Sequence, residues 1–153
     1  GFALSRQNLP VFDRNVCASA DGVARGAYTI CETSKDPDVI LIATGSEVHL
    51  AIAAARLLAA DNIHARVVSA PCLEWFDEQN DSYKESVLPK RIRARVSVEA
   101  GVGSGWHKYV GDDGEIISLE RFGASASAGT LFQEYGFTAE NIVLAAKRTI
   151  SRK

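Results

Sequence analysis

The chain predicts a three-layer α/β/α domain built on a mostly parallel sheet of about five strands. Three observations carry that reading. Short continuous apolar runs, of which residues 38–43 (DVILIA) are the clearest, have the composition of strands buried on both faces, as in a parallel sheet. Stretches with apolar residues at helical spacing alternate with those runs, as crossover connections require. Capping and turn residues mark the changes between them.

Taken in order, residues 1–10 open with a short run of strand composition, Phe2, Ala3 and Leu4. A donor-rich cluster follows, Arg6, Gln7 and Asn8, and Pro10 stops regular structure. Residues 11–25 show no sustained period and read as a linker, and 26–32 (GAYTICE) alternate enough for a strand. After the run at 38–43, Thr44 and Glu47 form a capping box. Val48, Ala51, Ile52, Ala55 and Leu58 then recur at helical spacing as far as Asp61 and Asn62. Residues 65–70 (ARVVSA) make the next strand, halted by Pro71. Ser82 and Glu85 give a second capping box before Val87 and Leu88, and Pro89 ends that helix. Residues 94–100 (ARVSVEA) are a strand, followed by glycines and a short helix over 106–110. Residues 115–120 (EIISLE) are the last strand, 122–128 (FGASASA) a loop, and 130–134 a short helical turn. Thr138 caps the final helix, with Phe137 and Ile142 placed as a hydrophobic staple. Ile142, Val143, Ala146 and Ile150 form its buried stripe, and Lys147, Arg148, Arg152 and Lys153 suit the negative end of its dipole. The core is expected from residues 39–42, Val67, Val68, Val96, Val98, Ile116 and Ile117.

Composition narrows the function classes. The 153 residues are 46% hydrophobic and 24% charged, which describes one domain able to bury a core, plus a short remnant of another. A net charge of −2 leaves no basic footprint and argues against nucleic acid and anionic membrane as partners. No apolar stretch approaches the roughly 20 residues needed to span a bilayer. Cys17, Cys31 and Cys72 are odd in number and lack metal-like spacing, so a reduced, cytoplasmic protein is expected. A start at Gly1, an apolar opening and no methionine anywhere suggest a fragment of a longer polypeptide.

Several motifs invite chemistry. Gly101, Gly103 and Gly105 (GVGSG) stand between a strand and a helix, where a dinucleotide fingerprint belongs, and Glu120 ends the next strand in the place of a ribose-binding acid. Trp106 occupies the third glycine's position and would block the close helix–strand approach, so a tight turn is the simpler reading. The Thr44-Gly45-Ser46 turn could bind an anion at a helix N-terminus, but Glu47 would repel a phosphate and a plain cap fits better. His49, His64 and His107 lie on separate elements with no ligand spacing. Cys72 follows a strand end beside Pro71, where α/β folds place chemistry, yet nothing pairs it with a base. The acids at 74–78 and at Asp112 and Asp113 read as solvated turns or helix starts. Arg6 offers a fixed fork of donors suited to a phosphate, though on composition alone it is a surface arginine in a linker.

Seven segments, LSRQNLP, DVILIATGSEVHLA, VVSAPCLEWFDEQ, SVEAG, GWHKYVG, FGASASA and FQEYGFTAENI, resemble the transketolase family, and together they span nearly the whole chain. The resemblance divides the chain into the tail of a preceding domain (1–10), a linker (11–25) and a transketolase C-terminal α/β domain (26–153). It implies a C-terminal fragment of an enzyme of the pentose phosphate pathway that moves a two-carbon ketol unit between sugar phosphates. That parent uses thiamine diphosphate with a divalent metal, Mg or Ca, and works as a homodimer. The fragment itself is expected to bind no coenzyme or metal, to support the dimer and to be inactive alone. It lacks the G-D-G motif followed about 25 residues on by N-N: Gly111-Asp112-Asp113-Gly114 matches its start, but no Asn-Asn follows. Arg6, within LSRQNLP, corresponds to an arginine that contacts the substrate phosphate. The alternative is a nucleotide- or effector-binding regulatory α/β module. One departure is Ser127, where the family commonly has proline, which is expected to loosen that loop.

Overall fold

In the computed structural model, which describes residues 1, 4, 5 and 7–152, the sheet is organised around β2 (Val39–Ala43). All five of its side chains are buried. β2 pairs in parallel with β3 (Ala65–Ser69) on one side and β4 (Arg95–Val98) on the other, placing Ile42 beside Val68 and Ser97. β5 (Glu115–Ile117) extends the parallel set next to β4. β1 (Tyr28–Glu32) closes the opposite edge, antiparallel to β3. The order is therefore β1-β3-β2-β4-β5.

Alternation along the strands sends apolar side chains to both faces, and each face has its own core. Val39, Leu41, Val67, Val96 and Val98 pack with α1 (Val48–Ala60) and α6 (Ala139–Ile150). Ile40, Ile42 and Val68 pack on the other side with Phe76 of α2 (Leu73–Asp77), Val87 of α3 (Asp81–Val87), and Tyr109 and Val110 of α4 (His107–Val110). Burying each Val, Leu or Ile in this way contributes about 1.5–3 kcal/mol, and the three layers follow from having apolar strands with two faces to cover. Ile116, expected in the core, is only half-buried, because β5 is a three-residue edge strand that ends at Ile117.

Local signals succeed where the partner is a near neighbour. The Thr138 hydroxyl accepts the Asn141 N–H at 3.2 Å, with Phe137 and Ile142 both buried beneath it. The two capping boxes do not form. Thr44 makes no side-chain cap bond; Gly45–Glu47 is a 3-10 turn, and Glu47 folds inward to accept from Ser46 Oγ at 2.9 Å. Helix α3 starts earlier than expected, because Asn80 accepts the Tyr83 N–H at 2.9 Å, and Asn is at least as good a cap as Ser. Glu85 instead accepts from the Lys90 N–H beyond the helix end. Residues 74–78 lie largely within α2, and the Ser127 hydroxyl accepts the Thr130 N–H and caps α5 (Ala128–Glu134).

The stretch read as a linker is attached to the sheet edge. Ala18 N–H donates to Ile30 O at 2.7 Å, Ala20–Arg25 forms a 3-10 helix, and Phe12 packs against the core. No helix among the described residues is long and apolar enough to cross a membrane.

Candidate functional site

The connection after β2 leads to α1 on one face, whereas the connection after β4 leads to α4 on the other. The carboxyl ends of these adjacent strands are therefore the topological switch point, where open α/β sheets hold ligands. Three acids meet this end of the sheet, one after each of β2, β4 and β5.

Glu47 is 4% exposed. Burial pushes its carboxyl above the usual carboxylate range, Glu99 adds to the push, and the Ser46 hydroxyl opposes it. Glu99 accepts a hydrogen bond from Trp106 Nε1 at 2.6 Å, so the indole that displaces the fingerprint's third glycine also anchors an acid. Glu120 accepts from Ser118 Oγ and from the Gly103 N–H, each at 2.7 Å, and these two bonds hold its carboxyl below the usual range. A Cβ on Gly103 would stand 2.8 Å from both Glu120 Oε1 and Ser118 Oγ, which explains the glycine without a ligand.

This arrangement argues against the nucleotide reading. The acid placed for a ribose is engaged by the very loop that would cradle the pyrophosphate, and Glu47 and Glu99 supply carboxyl groups where a phosphate needs cationic or N–H donors. The Thr44 turn fails as an anion site for the same reason. Sequence reasoning missed the grouping of Glu47, Glu99 and Trp106. Its available signal was an acid within four residues of the end of each of two buried parallel runs.

The other candidates disperse. Arg6 lies outside the described residues; beside it, Gln7 is half-buried and Ser5 is exposed. Cys72 Sγ sits 3.6 Å from the Glu74 carboxylate, a partner that offers no activation of a thiol. Asp77 is a strut: burial works against its charged form, but bonds from Lys108 at 2.6 Å and Tyr109 at 2.9 Å hold its pKa below the usual value and tie α2 to α4. Asp113 pairs with Arg93 at 2.6 Å. No group of three or more His, Cys, Asp and Glu side chains among the described residues is arranged to hold a metal ion.

Comparison with known proteins matches residues 26–138 to the transketolase-like TK C-terminal domain. Transketolase of Mycobacterium tuberculosis is 54% identical over 155 aligned positions, covering 98% of this chain and 22% of that protein. Transketolase 1 of Escherichia coli is 49% identical over 147, covering 96% and 22%. The structure of a Pichia stipitis transketolase in complex with sedoheptulose 7-phosphate superposes with a TM-score of 0.85 at 38% identity, over 96% of this chain and 21% of that one. The chain thus spans about a fifth of the length of the relatives it matches. With residues 26–138 matching the family and 54% identity over 98% of the chain, the chain belongs to the transketolase C-terminal domain family.

Proposed function

We propose that this chain is the C-terminal domain of a transketolase that moves a two-carbon ketol unit between sugar phosphates. The observation that carries the reading is identity of 54% sustained over 98% of the chain, beside structural relatives solved with sedoheptulose 7-phosphate and xylulose 5-phosphate. The residues present do not fit thiamine diphosphate or its metal. No Asn-Asn follows Gly111-Asp112-Asp113-Gly114, and the acids at the switch point oppose a diphosphate. The coenzyme belongs to other parts of the parent homodimer, and no step through it is assigned to this chain.

The domain's part is support and positioning. This reading assigns the phosphate of the sugar substrate to Arg6, a residue type whose fork of N–H donors suits a phosphate. Leu4, Val11, Val102 and Phe122, exposed by 85%, 95%, 63% and 99%, are the surface this reading assigns to the rest of the parent protein.

Steady-state kinetics of the parent enzyme tests the assignment. A hydrogen bond to a charged group contributes about 1.5–3 kcal/mol, so Arg6→Ala lowers kcat/KM for phosphorylated substrates on the order of 10- to 200-fold. An unphosphorylated acceptor loses far less, and Arg6→Lys recovers only part of the loss. Equal losses on both substrate types would make Arg6 structural.

A further inference from the structure

Thirteen residues separate Cys17 from Cys31 in the chain, yet both reach the same core cluster. Cys17 is 5% exposed, Cys31 is half-buried, and both pack in the core that α1 covers. The Ala18 N–H donates to Ile30 O at 2.7 Å. Four residues on, Gly22 lies against the Tyr28 ring so closely that a Cβ there would stand 2.3 Å from Tyr28 Cγ. Going from Ala18 to Gly22, the chain therefore passes from Ile30 to Tyr28, opposite in direction to β1. Cys17 precedes the bonded Ala18 and Cys31 follows the bonded Ile30, so on this antiparallel course the two cysteines lie on the same side of that bond. β1 carries an irregularity of bulge type between Thr29 and Cys31, a feature that re-aims a side chain, and Cys31 packs against the core in which Cys17 is buried; a disulfide needs Cα atoms roughly 4.4–6.8 Å apart. A charge on Cys17 is near enough to be felt by the Cys31 thiol. Cys72, at the start of α2, is outside this arrangement.

We propose that Cys17 and Cys31 are a disulfide-forming pair that, once oxidised by a low-molecular-weight disulfide, staples residues 12–18 to the edge strand β1. With oxidised glutathione, the half-buried Cys31 thiolate attacks one glutathione sulfur, forming a mixed disulfide and releasing one glutathione thiolate. The Cys17 thiolate then attacks the Cys31 sulfur, forming the internal bond and releasing the second. Two protein thiols lose two protons and two electrons, and one glutathione disulfide is reduced to two thiols. In a reducing compartment the pair stays as thiols. Burial pushes the Cys31 thiol up to about 11, with Cys17 and Glu32 adding and Arg56 of α1 opposing, so the reaction is slow at neutral pH and accelerates as pH rises. The bond closes a loop of about 15 residues and raises the melting temperature by roughly 5–10 °C.

The test is to incubate the chain with oxidised glutathione at pH 8.5, alkylate the remaining thiols, and map tryptic peptides by mass. The expected product joins peptide 15–25 to peptide 26–35 at about 2 Da below their combined mass. Cys72→Ser leaves that yield unchanged, and Cys17→Ser abolishes it while glutathione remains on Cys31. Separate alkylation of Cys17 and Cys31, glutathione persisting on Cys31 in the unsubstituted chain, or a link through Cys72 would overturn the proposal.

Discussion

Strand β2 and the segment 120–130, a loop leading into the first turn of α5, are opposite extremes of one chain. In β2 every side chain is buried and both edges are hydrogen-bonded to neighbouring strands. In the loop every residue is exposed, Phe122 by 99%. Its anchors include the bonds to Glu120 from Ser118 and from the Gly103 N–H, the Ser127 cap, and Arg121 stacked 4.7 Å over the Tyr135 ring. The difference separates two kinds of apolar residue. Those in β2 are needed for the domain to fold, and the domain's own helices cover them. Phe122, like Leu4 and Val11, is left over after folding, and on the proposed function it contacts other parts of a larger protein.

The sharpest way to break the comparison is truncation at both extremes. Ile42 is 1% exposed, and Ile42→Ala removes buried methylenes between packed layers, costing about 2–5 kcal/mol. Phe122→Ala changes the stability of the chain by less than about 0.5 kcal/mol. Urea denaturation of both variants checks this; a loss at Phe122 comparable to that at Ile42 would erase the distinction.

The next effect is a pH dependence carried by one buried and one paired acid. Burial, with Glu99 adding, raises the Glu47 carboxyl in the folded state. Its stabilising contribution is therefore full below the ordinary carboxylate range and is lost as pH climbs through the raised value. Glu115 behaves oppositely: the bond from Arg148, with Arg152 assisting, lowers it, so its contribution is present above the ordinary range and fades as pH falls through the lowered one. Glu47→Gln keeps the acceptor for Ser46 and should raise the urea midpoint at pH 8 while leaving it unchanged at pH 4. An equal shift at both pH values would contradict the buried-charge account.

The smallest effect is at the loop itself. Ser127→Ala removes the α5 cap and costs about 0.5–1 kcal/mol, measurable as a reduced melting temperature. No change would mean that the Ser127 bond contributes nothing to the loop.

Legibility in the sequence followed locality. The run in β2, the α1 stripe and the Thr138 cap depend on residues within a few positions, and all were readable. The false capping box at Thr44 arose because a 3-10 turn and a helix start share the same residue types, and only burial of Glu47 separates them. The pairing of Glu47 with Glu99 spans two strands whose adjacency follows from strand order, which no local pattern states. Arg66 is a similar case. It is almost fully buried and pairs with Glu32 at 2.8 Å because β1 joins β3 antiparallel. Arg6 was legible as a chemical type alone; its assignment came from the resemblance of residues 4–10.

Hydrogen exchange distinguishes a self-sufficient core with apolar surface left for a larger enzyme from a core that needs the rest of the protein to form. The 153-residue chain and the full-length parent enzyme would be compared peptide by peptide. The account predicts the same slow exchange in β2, β3 and β4 in both, and fast exchange over 120–130 in the chain alone that slows at least tenfold in the parent. Unprotected strands in the isolated chain, or equally fast exchange of 120–130 in both, would contradict it.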